Sequence, residues 1–394
     1  MSAIQLIVQC DAPNGCERLI PGAGRLIYRL PMLNAYVIEM DERDARRLNA
    51  ARGARRICQN ARVTAQINAA KSAVNAAFTA GFTGRGVGAA VLDTGVAAVE
   101  DLTRPKNRVA AFKDFIDGRS APYDDNGHGT HVAGIIGGNG QSSGGLYAGM
   151  APRCHIIGVK TLNRDGRGNT SEILAGLQWV VDNADRYNIR IINLSIGTPV
   201  IPGWDPLVDA VEAAWDKGLV VVTAAGNGGP GAGSIASPGI SRKVITVGTS
   251  DDEQSVNILG GRVKNYSGRG PTSECIVKPD ILAPGSNIVS CLAPSAAHRK
   301  RDRVAGHYVR MSGTSMSTPI ISGAIALLLE KYPRLSPDEV KLRLKNSATD
   351  LNYPKNRQGR GLLDVRGLLD ERAAPDSETY EFDERCAARM PRLI

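Results

Sequence analysis

One serine, Ser315, sits among small residues in Gly313-Thr314-Ser315-Met316-Ser317-Thr318-Pro319, just ahead of the apolar run 320–329. Pro319 fits the first turn of a helix, where its missing N–H costs nothing. Ser315 is therefore expected at a helix N-terminus, where free N–H groups and the helix dipole favour developing negative charge. That is a good seat for a nucleophile whose reaction passes through an oxyanion. A serine hydroxyl is barely nucleophilic at neutral pH, so it needs a base, and the base needs an orienting carboxylate. His128, in Asn126-Gly127-His128-Gly129-Thr130-His131, has glycines on both sides and opens a helical stretch. Asp93 ends an apolar run in Val91-Leu92-Asp93-Thr94-Gly95. Asn227, in Ala224-Ala225-Gly226-Asn227-Gly228, offers an amide to an oxyanion alongside the Ser315 backbone N–H.

Each piece alone has a plainer reading. Asp93-Thr94-Gly95 also suits a paired-aspartate mechanism, but the chain has no second such triplet. His128 and His131 have zinc-like spacing, yet no third ligand is spaced to complete a site, and none of the five histidines supplies one. Gly84-Arg85-Gly86-Val87-Gly88 mimics a dinucleotide loop but precedes a strand instead of following one. A lone Ser-rich string is most simply a capped core helix, and a lone buried Asn is most simply structural.

The elements that must position these residues show a regular alternation. Apolar strand candidates fall at 87–92, 155–160, 190–195, 219–225 and 244–248, with helical stretches at 131–136, 171–186 and 206–217. Such alternation predicts an α/β fold with a mainly parallel sheet covered on both faces. Sites in these sheets form beyond the carboxyl ends of strands, which is where Asp93, Ser195 and Asn227 fall. A further helix is expected over 336–345, capped by Ser336 with acids in its first turn. Residues 1–64 read as a small α+β unit, with strands at 4–8 and 35–40, a charged helix at 41–51 and an exit linker over 52–65. Residues 65–370 form the main domain, and 371–394 a charged tail, loosely ordered or packed across the surface.

Composition narrows the classes. The chain has 394 residues, 42% hydrophobic, with 44 glycines and a net charge of +9. Its basic residues are dispersed, and the densest run, 298–303, contains Asp302 and no aromatics, so no nucleic-acid interface is predicted. No apolar run approaches the ~18 residues of a membrane span. Seven scattered cysteines without a pairing framework predict reduced thiols. With no charged and apolar leader at the N-terminus, the reading is a cytoplasmic protein.

Taken together, the order Asp93, His128, Ser315 and the strings around them resemble the three motifs of the subtilisin-like serine proteases, the subtilases. Ala225-Gly226-Asn227 is similar to that family's oxyanion motif, and the resemblance runs over about residues 80–370. Pro122-Tyr123-Asp124-Asp125-Asn126-Gly127, Ser267-Gly268-Arg269-Gly270-Pro271-Thr272 and Lys278-Pro279-Asp280-Ile281-Leu282-Ala283-Pro284-Gly285 resemble the AprX-type intracellular branch.

The resemblance implies a three-layer subtilisin-like fold and a serine endopeptidase. Asp93, His128 and Ser315 would be its triad, and Asn227 its oxyanion donor. Residues 1–64 would be an I9-like propeptide that templates folding and then occupies the cleft, with a junction around 61–66. The substrate backbone would add as a strand between Gly166, Arg167, Gly168 and Ser195, Ile196, Gly197. The first specificity pocket would be walled by 195–197 and 225–228 (Ala225 and Gly226 among them), with Ala236 at its floor. No carboxylate lies there, which predicts broad specificity with an apolar preference; Arg167 is either a solvated loop charge or a selector of acidic residues upstream of the cut. Protein or peptide substrates and the chain's own propeptide are the implied partners. No cofactor is expected for catalysis. A structural calcium finds only weak support, because the loop 138–145 lacks the calcium pattern of secreted relatives and Asp124 and Asp125 read as a solvated loop. Residues 291–310 are an insertion relative to those relatives, either rimming the cleft or offering a self-cleavage site. Two other functions share the same residues: a propeptide-locked scaffold or signalling protein, and an esterase or ligase using the same triad.

Overall fold

The computed structural model describes residues 3–11, 24–30, 35–41, 44, 54–59, 66–76, 79–201, 204–258, 260–296, 302–370 and 378–388. The chain divides into two compact units, Met1–Thr64 and Ala65–Ile394.

The first unit is built on an antiparallel sheet of β1 (Ala3–Cys10), β2 (Arg25–Leu30), β3 (Ala35–Asp41) and β4 (Ala54–Gln59), in the order β2-β3-β1-β4. Alternate residues Leu6, Val8 and Cys10 of β1 meet Tyr36, Ile38 and Met40 of β3 in its core, the period of a strand with one face inward. One expectation changes here. The segment read as an exit linker contains β4, which pairs with β1 and sets Ala54 and Ile57 against the core; strand pairing overrides an Arg-rich composition. The helix expected over 41–51 lies outside the described residues except at Asp41 and Asp44.

In the second unit a seven-stranded sheet has the order β13-β10-β9-β8-β5-β7-β6. The strands are β5 (Gly88–Asp93), β6 (Val109–Asp114), β7 (His155–Lys160), β8 (Ile189–Leu194), β9 (Val220–Ala224), β10 (Ile245–Thr249) and β13 (Ile281–Ala283). All the pairings are parallel. Every residue of β5, β9, β10 and β13 is buried, as expected of strands covered on both faces. After α1 (Gln66–Ala73), helices α2 (His128–Gly137) and α5 (Thr314–Lys331) pack together against the sheet. Helices α3 (Thr170–Asp182) and α4 (Pro206–Asp216) form a second such pair. Helix α5 is buried on all sides from Met316 to Leu329, the signature of a helix in the middle of a core. Helix α6 (Pro337–Ser347) begins with a capping box in which Ser336 and Glu339 bond reciprocally.

Around this frame lie the hairpin β11 (Val256–Ile258) and β12 (Gly261–Val263), and the sheet of β14 (Ile288–Cys291), β15 (Arg303–Val304) and β16 (Tyr308–Met311). The described tail packs against the domain: Ile276 bridges Phe382, and Cys275 is disulfide-bonded to Cys386 across 111 residues. The expectation of reduced thiols is thus corrected at both cysteines, and Cys10 is disulfide-bonded as well. Cys154 and Cys291 are free and buried. A pairing this distant in sequence is set by the tertiary fold and leaves no spacing signal. Among the described residues no helix is long and apolar enough to cross a membrane.

Candidate active site

Four side chains converge at the carboxyl edge of the parallel sheet. Asp93 is the last residue of β5, His128 the first of α2, Asn227 follows β9, and Ser315 is the second residue of α5. The approach of α2 to β5 depends on Gly129, where a Cβ would lie 2.1 Å from Gly95 O and 3.0 Å from Asp93 Cβ.

His128 Nδ1 lies 2.7 Å from Asp93 Oδ1, which also accepts the Thr94 N–H at 2.7 Å. Asp93 is fully buried, and among the described residues its Oδ2 has no hydrogen-bond partner. An incompletely solvated carboxylate attracts a neighbouring cation strongly. His128 keeps 27% of its side chain exposed. Burial opposes its charged form, but the charge and hydrogen bond of Asp93, with Asp124 behind, outweigh that and raise its pKa.

Asp124, expected in a solvated loop, is fully buried and acts as the bracket of this corner. Its Oδ1 accepts from Gly127 N, Asn126 N and Thr94 Oγ1; its Oδ2 accepts from Thr130 N and Oγ1. It thereby satisfies the first turn of α2, where orphan N–H groups need partners, and ties that turn to β5. Asp125 pairs with the buried Lys160 at 2.8 Å. His131, one turn beyond His128, is buried and donates from Nε2 between the carbonyls of Ile288 and Val309, so it holds β14 and β16 to α2. Among the described residues no group of three His, Cys, Asp or Glu is arranged to hold a metal.

Pro319 departs from expectation. Helix α5 starts at Thr314, so Pro319 lies inside it and not in its first turn. A proline there leaves the carbonyl four residues earlier without its helical donor, and that carbonyl belongs to Ser315. Ser195 Oγ fills the gap, donating to Ser315 O at 2.9 Å. Ser195 is itself held by Asn193, and Asn193 by Ser322. The break in the helix ladder is thus used to anchor α5 to the end of β8. In return Ser315 Oγ donates to Ser195 O at 2.9 Å, instead of to His128.

Asn227 is fixed by its oxygen: Oδ1 accepts from Thr314 N and Thr314 Oγ1 at 3.0 and 3.1 Å. Its amide nitrogen is left to donate next to the N-terminus of α5. Ile196, Gly197, Gly226 and Ala236 join Asn227 and Ser315 around a cavity of about 490 Å³ with no charged lining residue. Cβ atoms added at Gly197 or Gly226 would each come within 2.8 Å of the Ala236 Cβ, so these glycines create the space above Ala236. Ser195 and Ala225 stand behind this cavity and do not line it; Gly166, Arg167 and Gly168 lie on the loop after β7, outside it. A second cavity, about 280 Å³, contains His128, Asn227 and Ser315 with residues of β11, β16 and the 291–310 segment. That segment, read as an insertion, rims the site through Asp302 and Arg310. Sequence reasoning did not single out Asn257, Arg310 or Met311, since only pairing of the hairpin and of β16 brings them to His128.

Residues 84–361 match the model of the subtilase family of peptidases. Over 275 residues the chain is 47% identical to serine protease AprX of Bacillus subtilis (strain 168), a match covering 67% of this chain and 61% of that protein. It therefore spans less than two thirds of that relative's length. It is 36% identical over 283 residues to subtilisin BL of Lederbergia lenta, covering 72% and 90% of the two chains. Among solved structures it is similar to sphericase, with TM-score 0.59 and 29% identity over 75% of this chain and 97% of that one.

Proposed function

The chain belongs to the subtilase family, and from that premise we propose that it is a serine endopeptidase working through an acyl-enzyme. The observation that carries this reading is the Asp93–His128 hydrogen bond of 2.7 Å, with His128 lining the same cavity as Ser315 and Asn227. Substrate backbone N–H takes the Ser195 carbonyl, which frees the Ser315 hydroxyl to turn to His128. As Ser315 Oγ bonds to the substrate carbonyl carbon, its proton passes to His128, and Asp93 stabilises the imidazolium. Asn227 Nδ2 and the Ser315 N–H receive the oxyanion. Collapse breaks the C–N bond, His128 protonates the leaving amine, and water repeats the sequence to release the acid.

The uncharged 490 Å³ cavity favours an apolar residue before the scissile bond. Substrate extends as a strand along Ser195, Ile196 and Gly197 and along Gly166, Arg167 and Gly168. The first unit, whose four strands precede the family match, is proposed to be a propeptide, so that the enzyme is made as a zymogen.

Intact mass before and after a fluorophosphonate probe tests this, with Ser315→Ala as control. One adduct on Ser315, on a chain cut near residue 64, is the expected result. A full-length chain that takes no adduct would overturn the peptidase reading and favour a propeptide-locked scaffold.

A further inference from the structure

The two cavities at Ser315 are chemically unlike, and the difference assigns them. The larger holds residues 196–200 and Ala236, beside the edge proposed to receive the acyl half of the substrate. The smaller contains His128, which must hand its proton to the leaving amine; that places the leaving half of the substrate there. Its wall carries Asn257 and Ile258 from β11, Met311 and Arg310 from β16, and Asp302. Arg310 is exposed, and its guanidinium forms no hydrogen bond or ion pair among the described residues. Asp302 already has an interaction partner. The uncommitted charge in this cavity is therefore positive.

We propose that Arg310 is a specificity-determining residue that selects an acidic side chain on the leaving-group side of the scissile bond. This rests on the peptidase reading and adds a substrate class to it. A guanidinium is suited to the task because it stays charged and grips a carboxylate with two parallel N–H donors. Being exposed, the contact is worth the modest amount of a surface ion pair and is screened by salt.

Internally quenched peptides, identical up to the cut and carrying Glu, Ala or Lys in the two positions after it, test the proposal on the full chain. Wild type is expected to show kcat/KM about three- to fivefold higher for Glu than for Ala, on the scale of an exposed pair, shrinking as salt is raised. Arg310→Ala should bring the ratio to about one, and Arg310→Glu should turn the preference toward Lys. A p-nitroanilide substrate, which has no residues after the cut, gives each protein's baseline, so that any general effect of the substitution on the triad cancels from the Glu-to-Ala ratio. Equal wild-type use of Glu and Ala peptides, or a ratio unmoved by either variant, would overturn the proposal. If nothing is cleaved, the peptidase reading fails instead. Anisotropy of a labelled Glu-bearing leaving peptide on Ser315→Ala protein then decides the role of Arg310, which requires binding that Arg310→Glu weakens.

Discussion

Two buried carboxylates in this molecule hold cations at the parallel sheet, and they are built for opposite ends. Asp93 meets His128 at the carboxyl end of β5, while Asp280, just before β13, holds Lys278 at 2.6 Å and Lys341 at 3.2 Å. In the Asp280 cluster every valence is used. Lys278 Nζ also donates to Val244 O and Thr246 Oγ1, Lys341 Nζ to the carbonyls of Arg242, Lys243 and Val244, and the Thr246 N–H donates to Asp280. Both lysine side chains are fully shielded from solvent. At Asp93 one oxygen has no hydrogen-bond partner among the described residues, and the histidine reaches an open cavity. A saturated, sealed cluster joins strand to helix: burial lowers the Lys278 pKa to about 7, but no cavity among the described residues lets its proton reach a substrate. Chemistry needs the opposite: a pair left incomplete and accessible on one side.

The sharpest way to break this contrast is Ser315→Ala. Peptidase activity should fall by about 10⁶-fold, the size of the loss when subtilisin loses its nucleophile, with Tm unchanged; residual activity within tenfold of wild type would sink the assignment of Ser315. Asp280→Ala should do the reverse, lowering stability by about 3–5 kcal/mol because two ammonium groups lose their counter-charge in the interior. Denaturant melts read that loss, and protein that remains folded should keep its kcat. Asn227→Ala should lower kcat by roughly 10²–10³ with little change in KM, as expected for a donor used only in the transition state; a matching rise in KM would make it a binding group instead.

The smallest effect is in the pH profile. In the proposed mechanism His128 works as a base only when neutral, and its pKa is raised in the fold, so the acid limb of kcat/KM should lie above the ordinary histidine value of about 6.5. Asp93→Asn removes the raising charge and keeps the burial that opposes protonation, so the residual activity should show that limb at lower pH. An unmoved limb would place the control of His128 elsewhere.

How far the sequence revealed these two regions follows the same contrast. The meeting of Asp93 with His128 was legible because glycines, a strand end and a helix start mark the place in local strings. The parallel sheet was legible too, since its buried strands are continuous apolar runs. Nothing local announces that Lys341, on an amphipathic helix, reaches Asp280, and it reads as a surface charge until α6 is docked. Asp124 looked solvated because its string is polar; four of its five donors lie within six residues of it, but they close over it only when that turn folds against Thr94 at the end of β5. Pro319 looked like a first-turn proline because the hydroxyl that compensates its missing N–H comes from Ser195, 120 residues before the Ser315 carbonyl it serves.

The disulfide between Cys275 and Cys386 has a consequence for how this chain would age. It closes a covalent ring that contains β13, β14, the 291–310 rim and α5 with Ser315. A single backbone cut inside that ring, including one in the exposed rim, separates nothing. The nicked chain would gain the mass of one water, run as one piece without reductant and fall into two only with it. Self-inflicted damage near the cleft would therefore leave the proposed nucleophile, Ser315, still tethered to the rest of the chain, through Cys386 to Cys275.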